Sequence, residues 1–227
     1  ERAGGKSQYL KHEAVAVDIH LSFGGKERIA GTMNFETAGD RSRIDFRDGG
    51  VMLFDGHEAM VSPPNHPAPK PRFELLTWPY FFELAFKLND PGTRLRAIGD
   101  RRSAGRDYPA ARLTFGANVG DTPDDWYVLY VDPQTGLLDT AGYIVTYGQS
   151  ATEGEKEPHA IVYSDYVDVD GVQLATDWKF YLWTEERGIF GEAIGAARLS
   201  NIRFVVLNAG TFLRPETYRV DELPESY

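Results

Sequence analysis

The chain has 227 residues, of which 24 are basic and 34 acidic, giving a formal net charge of −10 at pH 7. A chain of this length can bury a full hydrophobic core without a disulfide or metal to stabilise it. The absence of Cys excludes disulfides, a thiolate nucleophile, an iron–sulfur cluster and Cys-ligated zinc. The excess of acids argues against a nucleic-acid binder, because phosphates require a basic surface. No apolar run approaches the roughly 18 residues that would span a bilayer.

The chain shows no internal repeat and no long linker, so we expect a single domain over residues 1–227. It starts at Glu1 and not at Met. We interpret this as a processed or trimmed start, which leaves room for a signal peptide before it. Composition by itself leaves the cellular compartment open.

Alternation of apolar and polar residues dominates the chain and is typical of β-strands. The predicted strands are residues 14–21, 32–35, 43–46, 51–54, 59–62, 126–131, 143–147, 161–167, 176–184, 193–199 and 202–207. Turns rich in Asp and Gly separate several of them, for example Asp48-Gly49-Gly50 and Asp168-Val169-Asp170-Gly171. About ten or eleven strands at roughly ten-residue spacing predict an antiparallel barrel or sandwich.

One segment, residues 73–88, interrupts the strands with apolar residues at helical spacing. Pro79 is well placed as the first helical residue, and Asn89-Asp90-Pro91-Gly92 would stop the helix. The preceding residues 63–71 contain five prolines and predict a stiff, extended loop. Because an almost entirely apolar helix must be buried, we predict that it plugs or caps an incomplete barrel.

The common catalytic and metal-binding motifs are missing from the sequence. None of the five histidines lies four residues from another: His12, His20, His57, His66 and His159. There is no G-x-S-x-G elbow and no glycine-rich phosphate loop before a helix. Residues 165–171 have Tyr166 where a calcium loop needs its first ligand, so we predict a hairpin there. We expect no catalytic residue, no metal and no cofactor; a hydrolase with an Asp/Glu pair or His57 at the barrel mouth remains an alternative.

Large aromatic side chains are concentrated on the predicted strands between residues 126 and 183, and they fall on both faces. On the first of these strands, Trp126 and Tyr130 alternate with Tyr127. If a sheet has apolar side chains on both faces, either both faces pack against other parts of the protein, or one face packs and the other lines a ligand cavity. Ordinary core packing and a cavity for a lipid or other apolar ligand therefore both remain open, as does a structural or partner-binding role. With a cavity, the helix would be its lid.

Several segments resemble the LolA/LolB-like family of lipoprotein carriers, and most closely its relatives of unknown function. The segments that resemble its successive strand pairs and its closing strand are residues 52–63 (MLFDGHEAMVSP), 127–148 (YVLYVDPQTGLLDTAGYIVTYG), 163–183 (YSDYVDVDGVQLATDWKFYLW) and 209–215 (AGTFLRP). Residues 75–88 stand where that family inserts a helix. The helix that this family has before the first strand is either missing here or reduced to residues 6–12.

The resemblance implies a mainly β (α+β) fold, an incomplete antiparallel β-barrel around a helix, with a cavity for acyl chains. It implies a periplasmic or envelope-associated protein that binds lipid, or the acyl chains of a lipoprotein, without catalysis. The helix residues expected to form the lid are Trp78, Phe81, Phe82, Leu84 and Phe86. The residues expected on the cavity wall are Trp126, Tyr130, Tyr143, Tyr147, Trp178 and Phe180.

Overall fold

The computed structural model of the chain describes residues 3–68 and 70–221, and it is mainly β. The strands in chain order are β1 (Ala14–Phe23), β2 (Lys26–Glu36), β3 (Ser42–Phe46), β4 (Val51–Phe54), β5 (Ala59–Ser62), β6 (Thr93–Ser103), β7 (Arg106–Phe115), β8 (Trp126–Val131), β9 (Leu138–Tyr143), β10 (His159–Val169), β11 (Val172–Thr184), β12 (Gly188–Val205) and β13 (Arg219–Asp221). The helices are α1 (Lys6–Tyr9), α2 (Pro71–Lys87) and α3 (Ala151–Gly154). None of the described helices is long and apolar enough to cross a membrane.

All strands in the described ranges belong to one antiparallel sheet. Its spatial order is β13-β5-β4-β3-β2-β1-β12-β11-β10-β9-β8-β7-β6. Strands β13 and β6 lie at the two edges and do not pair with each other, so the sheet remains open. The predicted incomplete antiparallel barrel with a helix is therefore confirmed, with 13 strands in the described residues where ten or eleven were expected.

The segment with a superficial likeness to a calcium loop forms the predicted hairpin between β10 and β11. Asp170 and Gly171 both have positive φ, 51° and 80°, which is the backbone that a tight hairpin turn needs. The N–H of Gly171 donates to Oδ1 of Asp168 at 3.0 Å, and Nε2 of Gln173 donates to Oδ2 at 2.7 Å. The Asp168 carboxylate is thus used to hold the turn.

The hairpin of β6 and β7 was not predicted from the sequence, and it accounts for two of the additional strands. β6 is an edge strand that pairs with β7, and most of its residues are exposed. An edge strand of this kind needs no apolar face, and charged residues there are common. The run that contains Arg94, Arg96, Arg101 and Arg102 therefore lacks the alternation on which the strand predictions rested.

The strand predicted over residues 143–147 is wrong, because the strand β9 ends at Tyr143 and residues 144–147 form a loop. The carboxylate of Asp125 accepts hydrogen bonds from both the backbone N–H and the hydroxyl of Thr146, at 2.7 and 2.8 Å. These bonds take the place of a strand ladder at Thr146. The expected pair of strands at 193–199 and 202–207 is one long strand, β12, which ends at Val205.

The closing strand expected over residues 209–215 is also displaced. Residues 209–212 form a turn, residues 213–215 have no regular secondary structure, and the last strand in the described residues is β13, which pairs with β5. The guanidinium of Arg214 binds Asp55 with Nε at 2.9 Å, which anchors the turn segment to the β4–β5 turn. This side-chain contact holds the segment in place without a strand ladder.

Helix α2 begins two turns earlier than predicted, with Pro71 as its first residue and Pro79 inside it. A proline inside a helix lacks the N–H that would bond to the carbonyl four residues earlier, here that of Leu75. The buried hydroxyl of Ser42 donates to this carbonyl at 2.6 Å. The sheet therefore satisfies the acceptor that Pro79 leaves open, so the helix continues to Lys87.

Aromatic side chains of α2 fill the concave side of the sheet. The ring of Phe82 packs edge-on against that of Phe35 of β2, with 5.3 Å between the ring centroids, and the ring centroid of Phe81 lies 5.0 Å from that of Tyr143 of β9. These pairs belong to one large core cluster that includes both halves of the sheet. A smaller cluster lies on the other face of the sheet and consists of Tyr108, Val128, Tyr130, Ala160 and Trp183. The two clusters explain why aromatic residues occupy both faces.

Candidate ligand-binding cleft

A cleft with a volume of about 720 Å3 lies beside α2. The sheet residues that line it include Phe35, Ser42 and Phe54 from β2, β3 and β4, and Phe115, Tyr127 and Tyr143 from β7, β8 and β9. Its walls therefore come from both halves of the open sheet, with α2 between them. Pockets of roughly 300–1,000 Å3 are the usual size for small-molecule ligands.

One stripe of α2 supplies the helical side of the cleft. Phe73, Leu76 and Tyr80 line it and are half-buried, and their spacing of three and four residues places them on one face of the helix. The ring of Phe73 lies 5.3 Å from that of Tyr147, and the ring of Tyr80 lies 5.6 Å from that of Tyr127. Aromatic rings therefore line both the helical side and the sheet side of the cleft.

Glu83 is a buried acid at the margin of the cleft. The hydroxyl of Tyr9 donates to its Oε1 at 2.6 Å, and Nζ of Lys87 lies 3.4 Å from its Oε2. Burial raises the pKa of Glu83 to about 7, against the opposing effects of Lys87 and of the hydrogen bond from Tyr9. The contact joins α1 to α2.

Asp125 is the second lining acid whose pKa is raised, to about 6, again mainly by burial. Its Oδ1 accepts both bonds from Thr146, and its Oδ2 accepts a hydrogen bond from the hydroxyl of Thr122 at 2.8 Å. These bonds fix the loop that carries Tyr147. The carboxylate therefore positions one wall of the cleft.

Arg72 joins α2 to several other segments at one end of the cleft. Its Nη2 donates to Oδ1 of Asp121 at 2.9 Å, and its Nη1 donates to the carbonyl of His57 at 2.8 Å. Its guanidinium carbon lies 4.8 Å from the ring centroid of Phe54, and its backbone N–H donates to Asp221 at 2.9 Å. These contacts fix the relative positions of the helix start and both cleft walls.

Three solved structures resemble the whole described fold. A LolA superfamily protein from Nitrosomonas europaea has a TM-score of 0.56 at 12% identity, covering 92% of this chain and 98% of its own. A DUF1329 family protein from Desulfovibrio piger has a TM-score of 0.58 at 15% identity, covering 92% of each chain. A domain from Vibrio parahaemolyticus, assigned as an outer membrane lipoprotein-sorting protein, has a TM-score of 0.53 at 14% identity, covering 93% and 97%.

The chain has a LolA-like fold. The resemblance noted in the sequence is therefore confirmed at the level of the fold. Residues 74–183, which include most of α2, also match the model of DUF6503, a family of unknown function. No curated protein matches the sequence.

Within this LolA-like fold, the five helix residues expected to form a lid are all buried, at most 7% exposed. Phe81 lines the cleft. The other four pack into the core cluster and do not line the cleft: Trp78, Phe82, Leu84 and Phe86. The structure therefore brings one of the five to the cleft, and α2 itself occupies the barrel interior.

The six residues expected on the wall are divided among three places. Tyr143 and Tyr147 line the cleft. Trp178 and Phe180 are buried in the core cluster. The ring centroid of Trp178 lies 5.9 Å from that of Tyr163, and the ring centroid of Phe180 lies 5.9 Å from that of Trp78. Trp126 and Tyr130 lie on the opposite face, beside Trp183. A role of any of the six in ligand binding stays a prediction.

The half-buried stripe of α2 that lines the cleft was not predicted from the sequence; it consists of Phe73, Leu76, Thr77 and Tyr80. Their spacing places all four on one face, but the helix is apolar on nearly every side, so the spacing does not distinguish this face from the buried ones. A helix of that kind is expected to be covered all round. Which face of α2 is only half-buried can be identified only once the position of the opening between the two edges of the sheet is known.

His57, which was considered for a hydrolase, lies in the β4–β5 turn with an exposed side chain. Its backbone N–H donates to Oδ1 of Asp55 at 3.0 Å, which is a turn contact. Among residues 3–68 and 70–221, no group of three or more His, Asp or Glu side chains is arranged to hold a metal ion.

Proposed function

We propose that this chain is a non-enzymatic binding protein of the cell envelope that holds the acyl chains of a lipid or lipoprotein. The observation that carries the proposal is the aromatic-lined cleft of about 720 Å3 between α2 and the two halves of a LolA-like open sheet. The likeness to a domain assigned to outer membrane lipoprotein sorting supports the envelope location and the class of ligand.

Most of the charged side chains that line the cleft are already partnered, which favours an apolar ligand. Glu36 pairs with Arg41 at 2.5 Å, Asp121 pairs with Arg72, and Asp90 forms an ion pair with Lys6. An acyl chain needs no charged partner, since each methylene removed from water contributes about 0.8 kcal/mol. Burial against the stripe around Leu76 therefore supplies the affinity.

A matched pair of variants tests the cleft. Leu76→Trp places an indole among the lining residues, whereas Leu95→Trp places it on the exposed edge strand β6. If Leu76→Trp removes the contacts of about two methylenes, affinity falls about tenfold. The probe is a pyrene-labelled monoacylglycerol, a neutral lipid, titrated by fluorescence into the full chain.

We expect Leu95→Trp to bind within twofold of the unsubstituted protein. Native mass spectrometry and solvent extraction of the purified protein complete the test. A protein that carries no lipid after purification and does not bind the probe contradicts the proposed function. Equal losses in both variants contradict the cleft as the site.

A hydrolase is the second candidate, because Glu83 and Asp125 both line the cleft with raised pKa values. Their hydrogen bonds to Tyr9, Thr122 and Thr146 indicate structural tasks for both carboxyls. Screening ester and glycoside hydrolysis by the protein, Asp125→Asn and His57→Ala separates the two functions. Turnover that is lost in one of these variants would favour the enzyme.

A further inference from the structure

A second pocket, of about 760 Å3, lies at the tips of β1–β2 and β3–β4, beside the loop that leads to α2. It shares no lining residue with the cleft. Its lining residues are Phe23, Lys26, Glu27, Arg28, Ala30, Phe46, Arg47, Asp48, His66, Pro67, Ala68 and Lys70. Four of these side chains are Lys or Arg, in a chain whose net charge is −10.

Three of the four cations have no ion pair within the described residues: Lys26, Arg47 and Lys70. All three are exposed, and the backbone N–H of Arg47 donates to the carbonyl of Ala30 at 2.9 Å, which fixes the base of that side chain. Three exposed cations around one concavity repel each other, and a bound anion would relieve that repulsion.

The acids near this pocket already have other partners. Glu27 binds His20 at 3.0 Å, and Asp48 binds His66 at 3.2 Å. The fourth cation, Arg28, is held by the buried Glu74 at 2.5 Å. None of these acids forms an ion pair with Lys26, Arg47 or Lys70.

The inner side of the pocket is apolar. The ring of Phe23 lies 4.9 Å from that of Phe180 and so continues into the core, and the ring of Phe46 lies 4.8 Å from that of His66. Ala30 and Ala68 are almost fully buried beside them. A ligand that fits this surface carries an apolar group as well as a negative charge.

We propose that this pocket binds the phosphate or carboxylate group of an anionic amphiphile, through Lys26, Arg47 and Lys70, with its apolar part against Phe23 and Phe46. Charge-assisted hydrogen bonds from Lys and Arg to phosphate or carboxylate are among the stronger polar contacts in proteins. This site is separate from the cleft, so it can exist whether or not the cleft binds neutral lipid.

The test is calorimetric titration of the full chain with dodecyl phosphate, inorganic phosphate and dodecyl maltoside, each below its micelle concentration. The pocket variant is Arg47→Gln with Lys70→Gln. The control is Arg94→Gln with Arg96→Gln, which removes the same charge from exposed residues of β6. We expect the pocket variant to bind dodecyl phosphate about tenfold or more weakly, and the control within twofold.

Competition identifies the source of the anion. If inorganic phosphate displaces dodecyl phosphate only at far higher concentration, the site binds the headgroup of an amphiphile; this is the result expected. The proposal is overturned if inorganic phosphate binds as tightly as dodecyl phosphate, if dodecyl maltoside binds as well, if both double variants lose affinity equally, or if neither anion binds. Monoacylglycerol binding in the pocket variant reports on the cleft separately.

Discussion

The buried carboxyl of Glu83 makes stability depend on pH in the neutral range. Its pKa is about 7 in the folded protein and near the ordinary value of 4.5 when unfolded. The folded state therefore binds the proton more tightly, so stability is highest below about pH 4.5 for this group and falls as pH rises through 7. Asp125, with a pKa of about 6, acts in the same direction.

Glu83→Gln tests this argument. The amide keeps a hydrogen-bond partner for Tyr9 but cannot ionise. We therefore expect the decrease in unfolding free energy between pH 5 and pH 8 to be smaller in this variant than in the unsubstituted protein, by on the order of 1–3 kcal/mol. Urea unfolding at the two pH values measures it. Glu153→Gln, on the exposed helix α3, is the control and should leave the fall unchanged. An unaltered pH dependence in Glu83→Gln would contradict the raised pKa.

At the scale of the element, the continuity of α2 depends on a partner outside the helix. The hydroxyl of Ser42 takes the carbonyl of Leu75 that Pro79 cannot bond. We expect Ser42→Ala to cost about 1–3 kcal/mol, because a buried acceptor loses its donor. The measurement is urea unfolding at one pH.

Pro79→Ala restores an N–H that can bond to Leu75, so it should offset part of the loss caused by Ser42→Ala. The double variant is then less destabilised than the sum of the two single variants, and this double-mutant cycle isolates the coupling. Strict additivity would show that the hydroxyl does not compensate for the proline.

The elements that could be predicted from the sequence are those whose apolar pattern is their own. The strands of residues 14–21 and 126–131 and the hairpin at Gly171 depend on local alternation and turn chemistry, and they form as expected. β6 could not be predicted in this way, since it is an edge strand rich in arginine. Pro79 could not be placed either, because Ser42, its compensating partner, is 37 positions away in the sequence.

The cleft shows the same limit. Its aromatic character follows from composition, and Tyr143 and Tyr147 were selected from the sequence. Which residues remain at the cleft depends on where the sheet stays open and on how α2 is rotated, and both are tertiary properties. Phe73 and Tyr80 are as apolar as the buried Phe82, so sequence alone cannot separate them.

At the scale of the whole molecule, the core cluster joins both halves of the sheet through α2. We therefore propose that residues 1–227 form a single folding unit and expect one cooperative transition. The calorimetric and van't Hoff enthalpies should agree, as they do for two-state domains. Two resolved transitions, or a van't Hoff enthalpy well below the calorimetric one, would show that the halves unfold separately.

The charge of the molecule is unevenly distributed, which its net value conceals. The β6–β7 hairpin, residues 93–115, contains six arginines and two aspartates, a formal charge of +4, in a chain of −10. The second pocket is likewise lined by more cations than acids. Local attraction for anions is thus compatible with an acidic protein, because screening limits exposed charges to a range of about 10 Å.

The position of α2 determines how the protein is packed when no ligand is bound. The side chains of Trp78, Phe82 and Phe86 on this helix are buried in the core cluster and already fill the barrel interior. The interior therefore needs no bound ligand to be packed. The empty protein therefore does not depend on a ligand for its integrity, and under the proposed function a ligand can enter and leave the cleft without breaking the strand ladders.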